Sequence, residues 1–247
     1  MSFKDHFSGH ADLYRAARPS YDDPPFAWLA SEAPGRALAW DAGCGNGQAT
    51  RAVAAHFDRV VGTDPSAEQI DRAIPAANVE YRVEPAERST FDDASVDLVT
   101  VAQALHWFDL DAFYAEVRRV LRPDGVFAAI VYTDYDCEPA LDAIRDRLYS
   151  DILGPYWPSE RGIIEAGYQT LPFPFDELVV PPFQLSVTWD VASVLAYLRS
   201  WSSTQRYLAA NGNDPVALVE SDLRDAWGDP AATRTLTWDL NIRAGRV

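Results

Sequence analysis

Short apolar stretches alternate with helical patterns through the middle of the chain. Residues 36–40 form an apolar run that ends in Asp41 and a cluster of glycines, and residues 48–56 carry a helical pattern. A second apolar run, 59–63, ends in Asp64 and leads into a helical stretch at 67–73. Runs at 79–83, 95–102 and 126–132 read as further strands. Between the last two, residues 110–121 place Phe113, Val117, Val120 and Leu121 on one helical face, and Pro123-Asp124-Gly125 makes a turn. Strands this short and apolar, alternating with helices, predict a mostly parallel, doubly wound sheet covered on both faces.

The pattern differs at both ends. Prolines 19, 24, 25 and 34 break the first 35 residues into two helical segments, 10–17 and 25–33. After Thr133, residues 138–153, 191–210 and 215–227 read as helices. Residues 154–175 read as loop, and 183–189 and 233–243 alternate like strands. The expected organisation is one α/β domain of 247 residues: cap helices over 1–35, a cofactor-binding core over 36–133, cap and closing elements over 134–232, and a last strand over 233–247.

Charge narrows the partners. The formal net charge is −16, from 21 basic and 37 acidic residues, and Lys4 is the lone lysine. Such a chain repels phosphate backbones and anionic lipid at long range, so nucleic acid and membrane surfaces are poor partners. No apolar run approaches the roughly 20 residues that span a bilayer. The polar first ten residues do not read as a signal peptide, so a cytoplasmic setting is expected. Cys44 and Cys137 are too far apart for a zinc spacing, and no metal is expected.

The segment Leu38-Ala39-Trp40-Asp41-Ala42-Gly43-Cys44-Gly45-Asn46-Gly47 carries the strongest chemical signal. A buried strand runs into an acid, then three glycines at alternate positions, then a helix with free N–H groups at its start. The dinucleotide fingerprint G-x-G-x-x-G fails, because its third glycine falls on Gln48, and no Gly-Lys-Ser/Thr follows to make a phosphate loop. That argues against a nicotinamide-dependent oxidoreductase. Asp64 ends the next strand, where an acidic side chain accepts hydrogen bonds from both hydroxyls of a free ribose. The plainer reading of Asp64-Pro65-Ser66 is a helix N-cap.

Taken together, Asp41–Gly47, the Val-Gly-Thr-Asp-Pro-Ser run at 61–66, the Val-Asp-Leu-Val-Thr-Val-Ala-Gln-Ala-Leu-His-Trp-Phe-Asp run at 96–109 and Arg-Val-Leu-Arg-Pro-Asp-Gly at 119–125 resemble the class I S-adenosylmethionine-dependent methyltransferases of the type 11 group. More narrowly, His106–Asp109, Tyr14 with Arg18-Pro19-Ser20-Tyr21, and Ser200-Trp201-Ser202 resemble the small-molecule enzymes that include trans-aconitate methyltransferases. The resemblance implies a Rossmann-like, seven-stranded, mostly parallel sheet with an antiparallel last strand and a helical, aromatic cap. It implies S-adenosyl-L-methionine as methyl donor and S-adenosyl-L-homocysteine as product. Gly43, Cys44, Gly45, Asn46 and Gly47 would line the methionine part, with Asp41 near its ammonium. Asp64 would hold the ribose, and Pro65, Ser66, Ala86 and Glu87 the adenine. The family often has Asp before its Ala-Glu pair, whereas Glu84-Pro85 precedes it here. Gln103 and Ala104 would sit beneath the sulfonium, while Tyr14 and Arg18 would fold over the cofactor.

In-line methyl transfer asks mainly for positioning and exclusion of water. A carboxylate acceptor needs no base, whereas a hydroxyl, amine or carbon acceptor calls for proton removal. His106, just past a strand, is the candidate for that role, against a plainer reading as a packing residue. Tyr21, Trp107, Tyr135, Trp157 and Trp201 are candidate walls of the acceptor pocket, although aromatic residues there also serve as cap core. Arg161 and Arg206, with Arg18, are candidate partners for an acidic acceptor. The expected reaction is O-methylation of a small carboxylic acid or hydroxyl by a monomer or homodimer. A C- or N-methyltransferase and a non-catalytic S-adenosylmethionine binder are the alternatives.

Overall fold

The computed structural model describes Pro19 and residues 21–247. The predicted helix at 10–17, Tyr14, Arg18 and Ser20 lie outside the described residues. The first element is helix α1 (Asp23–Glu32), which carries Pro24 and Pro25 in its first turn, where a missing N–H costs nothing. Strand β1 (Leu38–Ala42) follows, then α2 (Gln48–Ala54), β2 (Arg59–Asp64), α3 (Ala67–Asp71), β3 (Val79–Val83) and β4 (Val96–Ala102). Helix α4 (Leu110–Val120) starts on Asp109, whose side chain accepts the Ala112 N–H at 3.3 Å, and it leads into β5 (Leu121–Val131).

Beyond β5 come α5 (Pro139–Asp146), a π-helical extension Arg147–Ile152, α6 (Arg161–Glu165), β6 (Asp176–Glu177), β7 (Phe183–Trp189), α7 (Val191–Arg199), α8 (Ser202–Asn211), α9 (Ala217–Trp227) and β8 (Arg234–Arg246). The sheet order is β3-β2-β1-β4-β5-β8-β6, with β7 also on β8. Pairs among β1 to β5 are parallel, and every pair made by β8 is antiparallel. β6 and β7 run along the same side of β8, separated by Pro181-Pro182, which can donate no ladder hydrogen bonds. Read as one interrupted edge strand, they complete the seven positions expected, with the antiparallel closing strand.

Strand alternation divides the interior into two layers. Ala39, Val60 and Leu98 face a core shared with Leu29 of α1, Val53 of α2, Val194 of α7 and Leu223 of α9. Trp40, Val61 and Val99 face the other core with Phe113 and Val117 of α4. The expected helix 191–210 is two helices. Its break falls at Trp201, which leaves helical geometry and is buried against Tyr149, Trp157 and Tyr197, so aromatic packing overrides local helical preference. The loop expected over 154–175 contains the short α6. Among the described residues, no helix is long and apolar enough to cross a membrane.

Candidate cofactor and acceptor site

The candidate residues gather at the carboxyl ends of β1, β2 and β4, where open α/β sheets bind ligands. The glycine turn is held from below. Cys44 donates its N–H to the Thr63 carbonyl at 2.9 Å, and Gly47 donates to the Cys44 carbonyl at 2.9 Å. Gly43, Gly45 and Gly47 have φ of 67, 53 and 85°, in the left-handed region. Gly47 lies on the Tyr81 ring, where a Cβ would come within 2.1 Å of the hydroxyl oxygen. A Cβ on Gly45 would meet nothing nearer than Gln69 Oε1 at 4.0 Å. The loop is therefore backed by protein at Gly47 and open at Gly45, so its open rung is where a ligand can approach the backbone.

Asp64 joins this loop to β2. Its Oδ2 accepts the Gly45 N–H at 3.0 Å and its Oδ1 accepts the Ser66 N–H at 2.9 Å. The N-cap belongs to Ser66, whose hydroxyl accepts the Gln69 N–H, and Pro65 between them is exposed. The cap reading and the ligand reading thus fall on different residues. The loop after β3 comes alongside through the Glu84 N–H, which donates to the Asp64 carbonyl at 3.2 Å. Ala86 is buried there, and Glu87 accepts the Asp109 N–H at 3.0 Å.

Asp41 lies opposite Thr100 in the β1–β4 register and is fully buried beneath the glycine turn. Its two oxygens accept the Thr50 hydroxyl at 2.6 Å and the Thr100 hydroxyl at 2.9 Å. Burial pushes its carboxyl up to about 6, against the lowering pull of the two threonines. Burial also holds the Cys44 thiol well above its ordinary range, with Asp41 and Asp64 adding to the rise, so it is no thiolate nucleophile at neutral pH. Asn46 is buried within the loop. Gln103 has a φ of 59° and sends its side-chain N–H to the Tyr132 carbonyl at 2.9 Å, while Ala104 packs toward Gly43.

His106 follows directly. Its Nδ1 is 2.9 Å from the Tyr168 hydroxyl, and its ring lies 4.6 Å from that of Trp107, which is exposed. Burial lowers its pKa to about 4; Glu160 opposes that shift and Arg161 adds to it. The imidazole is therefore neutral at neutral pH.

Past β5 the chain builds an aromatic wall. Trp157 lies 4.7 Å from Tyr149 and 5.5 Å from Trp201, centroid to centroid. Tyr135 packs on Tyr197 and Trp238, and its hydroxyl has no hydrogen-bond partner among the described residues. Tyr21 packs on Phe26 and Tyr132. Arg161 threads this wall, 4.4 Å over Trp157 and 4.9 Å over Tyr149, and donates to the Tyr149 hydroxyl at 2.5 Å. It also faces Asp134 at 3.4 Å and Glu165 at 3.5 Å, so its charge is already answered. Arg206 lies half-buried on α8 with no ion-pair partner among the described residues. No group of His, Cys, Asp and Glu among the described residues is arranged to hold a metal ion.

Two features escape the motif reading. Asp134 was signalled by an acid just past an apolar strand, the pattern that marks Asp41 and Asp64. Burial raises its carboxyl while Arg161 lowers it. Tyr168 had no local signal, because its partner His106 lies 62 positions away.

A parallel sheet closed by an antiparallel strand, with a glycine turn after β1 and an acid ending β2, defines a Rossmann-like methyltransferase fold. The comparisons agree. The profile of the family described as a methyltransferase domain matches residues 40–129. A methyltransferase-named protein of Dictyostelium discoideum is 33% identical over 229 residues, covering 91% of this chain and 87% of its own. A solved structure described as a type II methyltransferase from Anaeromyxobacter dehalogenans superposes with a TM-score of 0.89 at 46% identity, covering 93% of this chain and 97% of its own. An uncharacterised methyltransferase of Mycobacterium tuberculosis is 40% identical over 121 residues, covering 48% of this chain and 49% of its own. The chain belongs to the S-adenosylmethionine-dependent methyltransferases.

Proposed function

We propose that the protein methylates an oxygen, of a hydroxyl or a carboxylic acid, on a small molecule seated under the aromatic cap. The observation that carries this reading is the wall of Tyr149, Trp157 and Trp201, threaded by Arg161, whose charge also acts on His106, since flat aromatic walls suit a compact organic acceptor and keep water out.

The residues present fit the cofactor. The Asp64 carboxylate, fixed at the end of β2 by the Gly45 and Ser66 N–H groups, is the acid that would take the ribose hydroxyls. Gly45 leaves open backbone for the methionine chain, flanked by Gly43, Cys44, Asn46 and Gly47. Asp41 beneath the turn lends negative charge toward an ammonium. Pro65, Ser66, Ala86 and Glu87 border the adenine, Gln103 and Ala104 the sulfonium, and Tyr14 and Arg18 would cover the site from the N-terminal side. When bound, S-adenosylmethionine supplies a methyl group on a positively charged sulfur. The protein's part is to align the acceptor with it, through Tyr21, Trp107, Trp157, Trp201 and His106, and to exclude water. An acidic acceptor would turn to Arg206, because Arg161 is held by Asp134 and Glu165.

The test is incubation of the purified protein with methyl-labelled S-adenosylmethionine and a small-molecule extract. Label should enter the low-molecular-weight fraction, and transfer only into macromolecules, or none at all, would overturn the reading. Mild alkali then separates the two oxygens: release of labelled methanol marks an ester, and stable label an ether. Stable label that proves to sit on nitrogen or carbon would overturn O-methylation.

A further inference from the structure

We infer that Tyr168 is a positioning residue for His106: its hydroxyl donates to Nδ1 and fixes the imidazole proton on Nε2. His106 then meets the acceptor as a hydrogen-bond donor and not as a base. Its bearing on methyl transfer rests on the placement of the acceptor beside His106 proposed above.

The geometry starts at the hydroxyl. Tyr168 is 1% exposed, with its oxygen 2.9 Å from Nδ1 and the two rings 5.9 Å apart. A buried hydroxyl proton needs an acceptor, and among the described residues Nδ1 is the one within hydrogen-bond reach of it. The phenol has one proton to give, and burial keeps it there by raising its pKa. Nδ1 is the side-chain partner placed to receive it. A neutral imidazole carries one N–H and one bare nitrogen, so an accepting Nδ1 places the proton on Nε2. Both lone pairs that a base would use are then engaged, one by the phenol and one by the ring's own proton.

The rest of the fold holds Tyr168 in this pose. Gly167 and Tyr168 both have positive φ, 58° and 62°. A tyrosine in that region persists where its surroundings impose it. Arg243 of β8 donates to the Tyr168 carbonyl at 3.0 Å and to the Leu171 carbonyl at 2.8 Å, and its guanidinium lies 4.4 Å over Phe173. The Tyr168 N–H donates to the Ile163 carbonyl at 3.1 Å. Gly167 lies against Asn241, where a Cβ would come within 2.9 Å. The last strand and α6 thus aim a tyrosine at a histidine 62 positions earlier in the chain. The charged groups facing His106 are Glu160 and Arg161, with Trp107 and Tyr168 beside the ring.

Long-range proton–nitrogen NMR of the full chain, labelled with nitrogen-15 in histidine, reads the tautomer without any acceptor. A His106→Gln variant assigns the signal. At pH 7 the expected pattern is a protonated Nε2 and a bare Nδ1. In Tyr168→Phe the same ring should shift toward a mixture of tautomers. A protonated Nδ1 in the wild type, or an identical pattern in Tyr168→Phe, would overturn the inference. The wild-type spectrum alone decides should that variant fail to fold. Adding S-adenosylhomocysteine to the same sample tests the placement separately. If His106 stays still while other signals move, the placement beside the cofactor fails and the tautomer assignment stands.

Discussion

Asp41 and Asp97 sit on neighbouring strands, both fully buried, near opposite ends of the sheet. Asp97 accepts the Ala37 and Leu38 N–H groups at 2.9 and 3.0 Å and pairs with Arg122 at 3.1 Å. It presses on Gly35, where a Cβ would come within 2.7 Å. Asp41 accepts the hydroxyls of Thr50 and Thr100, and among the described residues no cation hydrogen-bonds to it. A carboxylate answered by an arginine and two amides is spent on structure. One answered by neutral donors keeps its field, and that field lies under the turn where a positively charged cofactor is expected.

The comparison breaks most sharply at Asp97. Asp97→Ala should cost about 2–4 kcal/mol, because two backbone N–H groups and the guanidinium lose their partner. Thermal unfolding should fall by roughly 2–4 °C per kcal/mol in a chain of this size, with the affinity of the folded protein for S-adenosylhomocysteine unchanged in calorimetry. Asp64→Ala should weaken cofactor binding, which Asp97→Ala leaves alone. Loss of two charge-assisted hydrogen bonds to ribose would cost about 2–3 kcal/mol, a 30- to 150-fold weaker Kd, beside a fall in Tm as the Gly45 and Ser66 N–H groups lose their acceptor. An Asp64→Ala protein that binds as the wild type does would remove Asp64 from the ribose.

Asp41 supplies a pH test of similar or smaller size. Its pKa in the fold, about 6, lies above that of an unfolded aspartate, so the native state binds the extra proton. The stability this contributes is present below pH 4 and is lost as pH rises through 6, by roughly 2–3 kcal/mol over the two units. Asp41→Asn should abolish that slope in denaturant titrations at pH 4 to 7. Cofactor affinity should rise over pH 5 to 7 in the wild type, as the carboxylate ionises, and stay flat in the variant. The smallest effect belongs to Gly45→Ala: about 1–2 kcal/mol of backbone strain with no steric clash, seen as a modest drop in Tm. A methyl group on the open rung should weaken cofactor binding more than it weakens the fold.

Much of this is readable before folding. The strand ends at Asp41 and Asp64 and the glycine turn between them follow from runs of five to seven residues, and the structure keeps the elements at nearly the expected limits. The register that sets Asp41 against Thr100 is not local, yet two buried β-branched hydroxyl residues in apolar elements were a usable hint. Where the break in residues 191–210 falls is another matter. The side chains of Ser200, Thr204 and Gln205 donate to the last carbonyls of α7, and Trp201 at the break packs on Tyr149 and Trp157.

The sequence by itself determined the alternating parallel core, the glycine turn and the acids at its strand ends, because hydrophobic periodicity and turn chemistry act over a few residues. Only the tertiary structure decided which charges are spent. Arg161 is held by Asp134, Arg122 by Asp97, and Tyr168 is aimed at His106 by a strand near residue 243. Those pairings arise from side chains brought together over long separations in a buried, low-dielectric setting, where one partner's presence sets the other's charge and proton.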